Sequence, residues 1–155
     1  MSVTFTSFTS YPARTPVLIA SRMPCSMGLI YSRGTDPPLI SFCLDRNALT
    51  LNSFLNAKHF GVNVLSEHQE TLSAAFARSS STGDKFIGLA YDVGASGCPL
   101  LTDCLTHLEC EREVAHEAGD HLIVVGRVIR LTQRSEGKPL LYFRGRYAKI
   151  VDATS

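Results

Sequence analysis

Short apolar segments rich in Val, Ile, Tyr and Phe alternate along the chain with turns that contain Gly, Pro and Asp. This alternation is typical of the strands of an antiparallel sheet or barrel. No internal repeat is visible, and no GxGxxG element is present that would form a Rossmann nucleotide site. The sequence therefore predicts a mainly β fold, with eight strands near residues 16–21, 26–33, 39–45, 59–65, 89–93, 104–115, 122–133 and 139–151.

Two of these strands differ in the arrangement of their apolar residues. Segment 104–115 alternates, so its polar face, which includes Glu109, is expected to meet water. Segment 122–131 is apolar on both faces apart from two arginines, as expected where a barrel interior covers one face and a partner covers the other. The apolar face of the first strand carries Leu108, Cys110 and Val114.

Two short helices interrupt the strand pattern. Ser66 and Gln69 have the spacing of a capping box, in which the serine hydroxyl accepts from the Gln69 amide and the glutamine side chain reaches back. A helix of about three turns is expected to start there. Its apolar face is predicted to carry Leu72, Ala75 and Phe76. A second helix is predicted over residues 50–57, where Leu51, Phe54 and Leu55 share a face.

The composition is that of one globular domain. The chain has 155 residues, of which 45% are hydrophobic and 19% charged. We expect a single domain over residues 1–155, with residues 1–15 as an extended N-terminal arm. No segment approaches the roughly 20 apolar residues of a membrane span, and no secretion signal is visible, so a cytoplasmic location without membrane contact is expected. A net charge of +1 without a basic run argues against nucleic acid as a partner.

The cysteines and histidines show no pattern of a metal site. The cysteines form an odd set without a CxxC pair, and three of them lie in apolar segments. Buried free thiols are therefore predicted. The histidines have no ligand spacing with these thiols, so no metal is expected. The five cysteines are Cys25, Cys43, Cys98, Cys104 and Cys110.

Seven short blocks between residues 36 and 147, within a matching stretch of roughly residues 17–150, occur in a recognisable order and spacing. They are Asp36-Pro37-Pro38-Leu39, His59-Phe60-Gly61-Val62-Asn63-Val64-Leu65, Asp84-Lys85-Phe86-Ile87-Gly88, Gly97-Cys98-Pro99-Leu100-Leu101, Leu108-Glu109-Cys110, Gly119-Asp120-His121, and Pro139-Leu140-Leu141-Tyr142 leading to Gly145-Arg146-Tyr147. With these blocks the chain resembles the flavin reductase-like family. Members adopt an FMN-binding split β-barrel and often serve as the reductase component of two-component monooxygenases.

The resemblance implies an NAD(P)H:flavin oxidoreductase. Such an enzyme uses FMN or FAD with NADH or NADPH, and supplies reduced flavin to a partner monooxygenase by diffusion. A homodimer is implied as well, with segment 122–131 as the place to look for buried intersubunit surface. Two alternatives stay open. One is a split barrel that has lost reductase activity and acts as a flavin- or ligand-binding module or as a different biosynthetic enzyme; the other is a dimeric scaffold without small-molecule function.

By resemblance, the backbone of residues 25–35 passes along the flavin ring. The matching residues are Ser26, Met27, Gly28 and Ser32. Relatives usually carry Thr where this chain has Ser26, Asn or Ser where it has Gly28, and a second Ser where it has Gly34. Glycine removes side-chain hydrogen bonds at these places, but it permits close approach of the ring to the backbone.

Four further residues match the part of the family's site that holds the flavin phosphate and flanks the flavin. Asn47 and Thr50 match a segment that opens a helix, where hydroxyl and amide groups receive the phosphate. Lys85 matches a cation for the phosphate, and Phe86 matches an aromatic for packing. The alternatives are simple helix capping for Thr50 and an ordinary surface lysine for Lys85.

The resemblance assigns the nicotinamide to His121, Arg144, Arg146 and Tyr147. The histidine of the Gly-Asp-His block would position the reduced nicotinamide beside the flavin, and it is the predicted catalytic residue. An arginine would bind a phosphate, and the tyrosine would stack. A histidine satisfied at the barrel rim and surface arginines on an edge strand are the alternatives.

Overall fold

The computed structural model describes residues 4–6, 17–20, 36–48, 50–77 and 85–151, and for the first two segments it describes the backbone alone. The predicted strand 26–33 lies outside the described residues. The strands are β1 (Thr4–Thr6), β2 (Val17–Ala20), β3 (Leu39–Asp45), β4 (His59–Val64), β5 (Tyr91–Val93), β6 (Pro99–Leu101), β7 (Thr106–Ala118), β8 (His121–Gln133), β9 (Leu141–Phe143) and β10 (Arg146–Ala148). The helices are α1 (Leu51–Asn56) and α2 (Glu70–Ala77).

Six strands form the main sheet in the order β1-β2-β4-β7-β8-β3. All neighbours in this sheet are antiparallel except β2 and β4, which run parallel. Two antiparallel hairpins, β5–β6 and β9–β10, stand beside it. The mainly β fold predicted from the alternation of apolar segments and turns is confirmed.

The first core cluster lies between the sheet and α1. Phe42 from β3, Phe54 from α1 and Phe60 from β4 are all 1% exposed. The ring centroid of Phe42 lies 5.5 Å from that of Phe54 and 5.3 Å from that of Phe60, and both contacts are edge to face. Such offset aromatic contacts are favourable beyond the area they bury. Gly126 of β8 makes room for the third ring, since a Cβ at that position would lie 2.4 Å from Phe60 Cζ.

The second core cluster lies under α2 and includes Leu65, Phe76, Leu101, Cys104 and Leu140. Asn63, fully buried on β4, ties this region to β6. Its Nδ2 donates to Pro99 O at 3.2 Å, and its Oδ1 accepts from Leu101 N at 2.8 Å. The Asn63 side chain therefore links β4 to β6, two strands that do not pair through backbone hydrogen bonds.

Helix α2 begins four residues later than predicted and is shorter. The Gln69 side chain does reach back, since its Oε1 accepts from Ser66 N at 2.9 Å. The Ser66 hydroxyl, however, lies 3.4 Å from that same Oε1, and the Gln69 amide donates to the Ser66 carbonyl instead. A turn thus precedes the helix. Ser73 faces the core in place of the predicted Ala75, which is exposed.

The C-terminal strand predicted over residues 139–151 is a hairpin. Its two short strands, β9 and β10, are joined by Arg144 and Gly145, whose φ angles are 49° and 82°. Positive φ at both central residues is the requirement of a type I′ turn. Strand β6 was not predicted, because a segment of only three residues, Pro-Leu-Leu, has the same sequence pattern as a short buried loop.

The predicted exposure of the β7 side chains is wrong at two positions. The pairing of β7 with β8 shifts between Arg112 and Val114, where Glu113 is an extra residue on β7. This β-bulge changes which side chains face the core beyond it, so Val114 is exposed whereas Leu108 and Cys110 are buried as predicted. Glu109 lies on the face opposite to Leu108 and Cys110, as predicted, but it is buried because the β5–β6 hairpin covers it.

Strand β8 carries both buried and exposed apolar side chains. Leu122 and Val124 face the core and are buried, as the sequence predicts. Ile123, Ile129 and Leu131 are 37%, 46% and 47% exposed in the chain alone. The described part of the chain therefore does not supply the cover that the sequence predicts for both faces of this strand.

The cysteines that can be described are free thiols. Cys98, Cys104 and Cys110 are buried and Cys43 is half-buried, which confirms the prediction for the first three; Cys25 lies outside the described residues. Burial raises the pKa of Cys98 to about 11 and that of Cys104 to about 12, so both stay protonated at neutral pH. Neither helix that the structure describes is long and apolar enough to cross a membrane.

Glu109 is a buried carboxylate held by the turn of the β5–β6 hairpin. Its Oε2 accepts from the Ser96 amide at 2.7 Å and from the Ser96 hydroxyl, and its Oε1 lies 3.5 Å from Arg130 Nε. Burial by itself raises the pKa of Glu109, but the hydroxyl and amide of Ser96, the charge of Arg130 and the Ala95 amide together hold it below its ordinary value. Gly94 is required beside it, because a Cβ there would lie 2.5 Å from the carboxylate.

Changing Glu109 to Gln is expected to lower the free energy of unfolding at about pH 7 by about 1 kcal/mol, because the charge-assisted bonds to Ser96 become neutral ones. The folded-state pKa lies below the ordinary 4.5. The contribution of the ionised carboxylate to the free energy of unfolding is therefore complete above the ordinary pKa, and it is lost as the pH falls through the folded-state pKa. Urea unfolding at several pH values should show the difference shrinking in acid. A difference that grows in acid would contradict this assignment; Glu136→Gln, at an exposed position, is the control.

Candidate functional site

The β3–α1 loop and the β7–β8 hairpin meet at one end of the sheet. Asp45, the last residue of β3, pairs with His121, the first residue of β8. The Arg46 amide donates to the Asp120 carbonyl at 3.0 Å, and the Arg46 guanidinium lies 2.8 Å from Glu117 Oε1. These bonds hold the start of the α1 segment next to the hairpin.

The hairpin turn that presents His121 has two residues, Gly119 and Asp120. Gly119 has a φ of 63° and Asp120 is not in the positive-φ region. This is the pattern of a type II′ turn, which requires glycine at its first central position. The turn matches the twist of the two long strands and fixes where β8 begins.

The imidazole of His121 has one satisfied and one unsatisfied nitrogen. Its Nδ1 lies 2.7 Å from Asp120 Oδ1. The hydrogen bond with His121 holds the pKa of the Asp120 carboxyl below its usual range, so the carboxyl is ionised at neutral pH. The side chain of His121 is 18% exposed. Its Nε2 is buried and has no hydrogen-bond partner among the residues that the structure describes.

Thr50 carries a second unsatisfied polar atom at the same end. It occupies the N-cap of α1 with φ −93° and ψ −8°, which is a helical rather than an extended backbone. Its hydroxyl makes no cap bond, so simple capping does not explain this residue. The Oγ1 is buried without a partner within residues 36–48, 50–77 and 85–151. A buried unpaired hydroxyl costs free energy, which a bound polar group would recover.

Asn47 lies between these two residues in the chain but is exposed. Its amide donates to Asp45 Oδ1 at 2.7 Å, which shapes the loop after β3. Its side chain is therefore on the surface at the same end of the sheet as His121. The structure thus places the loop that carries Asn47 and leads to Thr50 at the end of the sheet where His121 begins β8.

Lys85 and Phe86 lie against α2. The Lys85 ammonium donates to the Phe76 carbonyl at 2.8 Å, near the end of α2. Burial lowers the pKa of this lysine. The ring of Phe86 packs edge to face on Phe76 and on Tyr91, with centroid distances of 5.5 Å and 5.3 Å. Phe86 packs against the second core cluster, and the role of both residues toward a flavin stays a prediction.

The predicted nicotinamide residues near the C-terminus lie on the β9–β10 hairpin. The Tyr147 hydroxyl lies 2.9 Å from Ser73 Oγ of α2, which fastens the hairpin to that helix. The Arg144 guanidinium stands 5.2 Å from the centroid of the Phe143 ring. Arg146 is exposed. Tyr147 therefore joins Lys85 and Phe86 around α2, whereas the two arginines face outward.

The remaining predicted flavin residues, Ser26, Met27, Gly28 and Ser32, lie outside the described residues. One residue that sequence reasoning missed is Asp120. Its position was the available signal, because an acid directly before a histidine in a tight turn can form a hydrogen bond with the ring.

A cavity of about 700 Å³ was also missed. It opens between the start of α2, the loop after β6 and the segment that follows β8, and it contains none of the predicted site residues. Its charged groups are partly paired with each other, since Arg134 Nη1 lies 3.5 Å from Asp103 Oδ1. Its walls come from chain segments far apart in sequence, so no local pattern could indicate it.

The chain matches the family model described as "Flavin reductase like domain" over residues 4–151. The reductase subunit HsaB of a flavin-dependent monooxygenase from Rhodococcus jostii is 37% identical over 115 residues, 74% of this chain and 58% of that protein. FMN reductase (NADH) SmoA from Agrobacterium fabrum is also 37% identical over 115 residues, 74% of this chain and 64% of that protein. The chain spans less than two thirds of the length of these relatives.

Solved structures agree with the sequence relatives. The NADH:FAD oxidoreductase SgcE6 from Streptomyces globisporus C-1027 has a TM-score of 0.79 at 26% identity, covering 98% of this chain and 86% of that chain. Its complex with NAD and FAD fragments has the same TM-score at 27% identity, covering 99% and 86%. This similarity confirms the predicted fold class, a split β-barrel. Because the family model matches almost the full length and relatives reach 37% identity, the chain belongs to the flavin reductase like domain family.

Proposed function

We propose that this protein is an NAD(P)H-dependent flavin reductase that supplies reduced flavin to a partner monooxygenase. Three buried side-chain atoms have no hydrogen-bond partner among the described residues: Thr50 Oγ1, His121 Nε2 and Glu109 Oε1. The last faces the Arg130 guanidinium at 3.5 Å, so the observation that carries the proposal is the other two, Thr50 Oγ1 and His121 Nε2. Folded proteins leave few such atoms unpaired, and two at one end of the sheet indicate a place built for a polar ligand. The family membership supplies the class of ligand.

The residues present fit a flavin with a nicotinamide beside it. A bound flavin supplies the hydride acceptor for a reduced nicotinamide. Thr50 would offer its hydroxyl to the flavin phosphate, with Asn47 on the same loop. His121 would hold the nicotinamide by a hydrogen bond at Nε2. The protein thus contributes orientation, which makes a bimolecular step local.

The remaining site assignments belong to the same proposal. Ser26, Met27, Gly28 and Ser32 would line the flavin ring. Lys85 and Phe86 would approach the flavin, and Arg144, Arg146 and Tyr147 would approach the dinucleotide. Lys85 and Tyr147 already have hydrogen-bond partners, so their side chains would have to move to do this.

The direct test is a titration of the purified protein with FMN and with FAD, followed by oxidation of NADH and of NADPH in the presence of each flavin. We expect saturable flavin binding and flavin-dependent oxidation of at least one nicotinamide. Binding without oxidation would favour a flavin-binding module that has lost reductase activity. If no flavin binds and no turnover occurs, the reductase proposal fails.

Changing Thr50 to Val is expected to weaken flavin affinity about fivefold, the equivalent of roughly 1 kcal/mol for one hydrogen bond. Valine keeps the shape and removes the hydroxyl, so the free protein should be equally stable or slightly more stable, because an unpaired buried group is gone. Fluorescence titration gives the affinity and urea unfolding gives the stability. Thr50→Ser, which keeps the hydroxyl, is the matched control. A Thr50→Val protein that binds flavin like the wild type would remove this residue from the site.

We further propose a homodimer formed through the outward face of β8. The exposed apolar side chains Ile123, Ile129 and Leu131 on this strand support the proposal, because exposed apolar side chains grouped on one long strand are typical of an interaction surface. Light scattering on the purified protein should give twice the chain mass of 16.9 kDa. A monomer that stays monomeric at high concentration would contradict the dimer without touching the reductase proposal.

A further inference from the structure

The strongest unassigned feature is the contact between Asp120 and His121. The Asp120 carboxylate is 88% exposed and lies at the second position of the hairpin turn. Its backbone is held on the other side, because its carbonyl accepts from the Arg46 amide at 3.0 Å. The carboxylate therefore stands in a fixed place beside the ring, although nothing buries it.

The chemistry of this contact decides which nitrogen of the ring carries the proton. An ionised carboxylate only accepts hydrogen bonds, so at 2.7 Å the Nδ1 of His121 must be the donor. In the neutral imidazole the other nitrogen then has no proton. Nε2 of His121 is consequently a hydrogen-bond acceptor, and it is the atom left buried without a partner among the described residues.

We propose that Asp120 is a positioning residue that holds His121 in the Nδ1–H tautomer, so that Nε2 accepts a hydrogen bond from an N–H donor of the ligand. A carboxamide such as that of nicotinamide has such a donor. The inference rests on the proposed function for the identity of the ligand, but the tautomer itself is a property of the free protein. Among the described residues, the other charges at this end have partners of their own: Arg46 pairs with Glu117, and Asp45, the strand partner of His121, accepts from the Asn47 amide.

The test is ¹H–¹⁵N correlation spectroscopy of the histidine rings in the full chain at about pH 8, where an ordinary imidazole is neutral. The signal of His121 is assigned by its loss in His121→Ala. We expect the wild type to show a protonated Nδ1 and an unprotonated Nε2. In Asp120→Ala the Nε2–H form should become the major one, whereas Asp120→Asn, whose amide oxygen still accepts, should keep the wild-type tautomer. Glu117→Ala, an exposed acid on the same hairpin, is the control and should also keep it.

A kinetic measurement complements the spectra. Asp120→Ala should raise KM for the reduced nicotinamide about fivefold, the loss expected for one hydrogen bond, while flavin affinity and unfolding stay as in the wild type. Asp120→Asn should restore most of the loss. A wild-type ring with Nε2–H, or an Asp120→Ala ring that keeps Nδ1–H, would overturn the inference. A protein that shows the expected tautomers but no turnover with any flavin would instead refute the proposed function.

Discussion

Replacing His121 by Ala is expected to lower kcat/KM for the reduced nicotinamide by about 10- to 100-fold, because a positioning contact is lost together with the packing of the ring. The side chain is 18% exposed, and its Nε2 is buried without a hydrogen-bond partner among the described residues. Steady-state oxidation of NADH or NADPH at saturating flavin measures the effect.

Flavin affinity should stay within about twofold in the same variant, a change below 1 kcal/mol, because the histidine is assigned to the nicotinamide and not to the flavin. His116→Ala is the matched control, since that histidine is exposed on the same hairpin and makes no contact that the proposal uses. Equal turnover in His121→Ala and the wild type would remove this residue from the mechanism. A large loss of flavin affinity would place it against the flavin instead.

Replacing Phe60 by Ala is expected to lower the free energy of unfolding by about 3–5 kcal/mol, as for large aromatic truncations in packed cores. The ring is 1% exposed and lies against Phe42 and over the space left by Gly126. Strands β4 and β8 are held by their neighbours in the sheet, so the cavity cannot close fully. Urea unfolding with an unchanged m value measures the loss.

Ile87→Ala is the control for that experiment, because this side chain is 79% exposed and its truncation should change stability by less than about 0.5 kcal/mol. A loss below about 1 kcal/mol for Phe60→Ala would mean that the first core cluster is not packed as described. Gly126→Ala in the Phe60→Leu background offers a further check: if the two residues share one space, the two changes should not be additive.

Elements whose residues carry a complete local signal were predictable. Strand β3 has the predicted bounds, Leu39–Asp45, because its buried and half-buried residues alternate without interruption. Helix α1 lies within the predicted range, since Phe54 is buried in the core and Leu51 packs against the same cluster, as the predicted apolar face requires. The start of β8 at His121 was predictable to within one residue, because Gly119-Asp120 marks a turn between two apolar strands.

Local sequence patterns were misleading where a distant part of the chain bonds the same side chain. Ser66 and Gln69 have the composition of a capping box, yet the Gln69 side chain also donates to the Thr102 carbonyl at 2.8 Å. This bond comes from a distant part of the chain and holds the glutamine outside the helix. Glu109 was expected in water because the strand alternates, but the β5–β6 hairpin folds over it and supplies the donors that its carboxylate needs.

The sequence by itself determined the mainly β class, the place of most strands and the start of the strand that carries His121, because each depends on neighbours within a few positions in the chain. Only the tertiary structure decided which predicted site residues meet. Thr50 and His121 are 71 positions apart, and they share one end of the sheet because β3 pairs with β8 in a register that puts Asp45 opposite His121. Lys85, Phe86 and Tyr147 were drawn to α2 by bonds and packing that no local pattern contains. Whether a buried polar atom has a partner depends on every segment packed around it, so the unpaired Oγ1 and Nε2 could be seen only once those segments were in place.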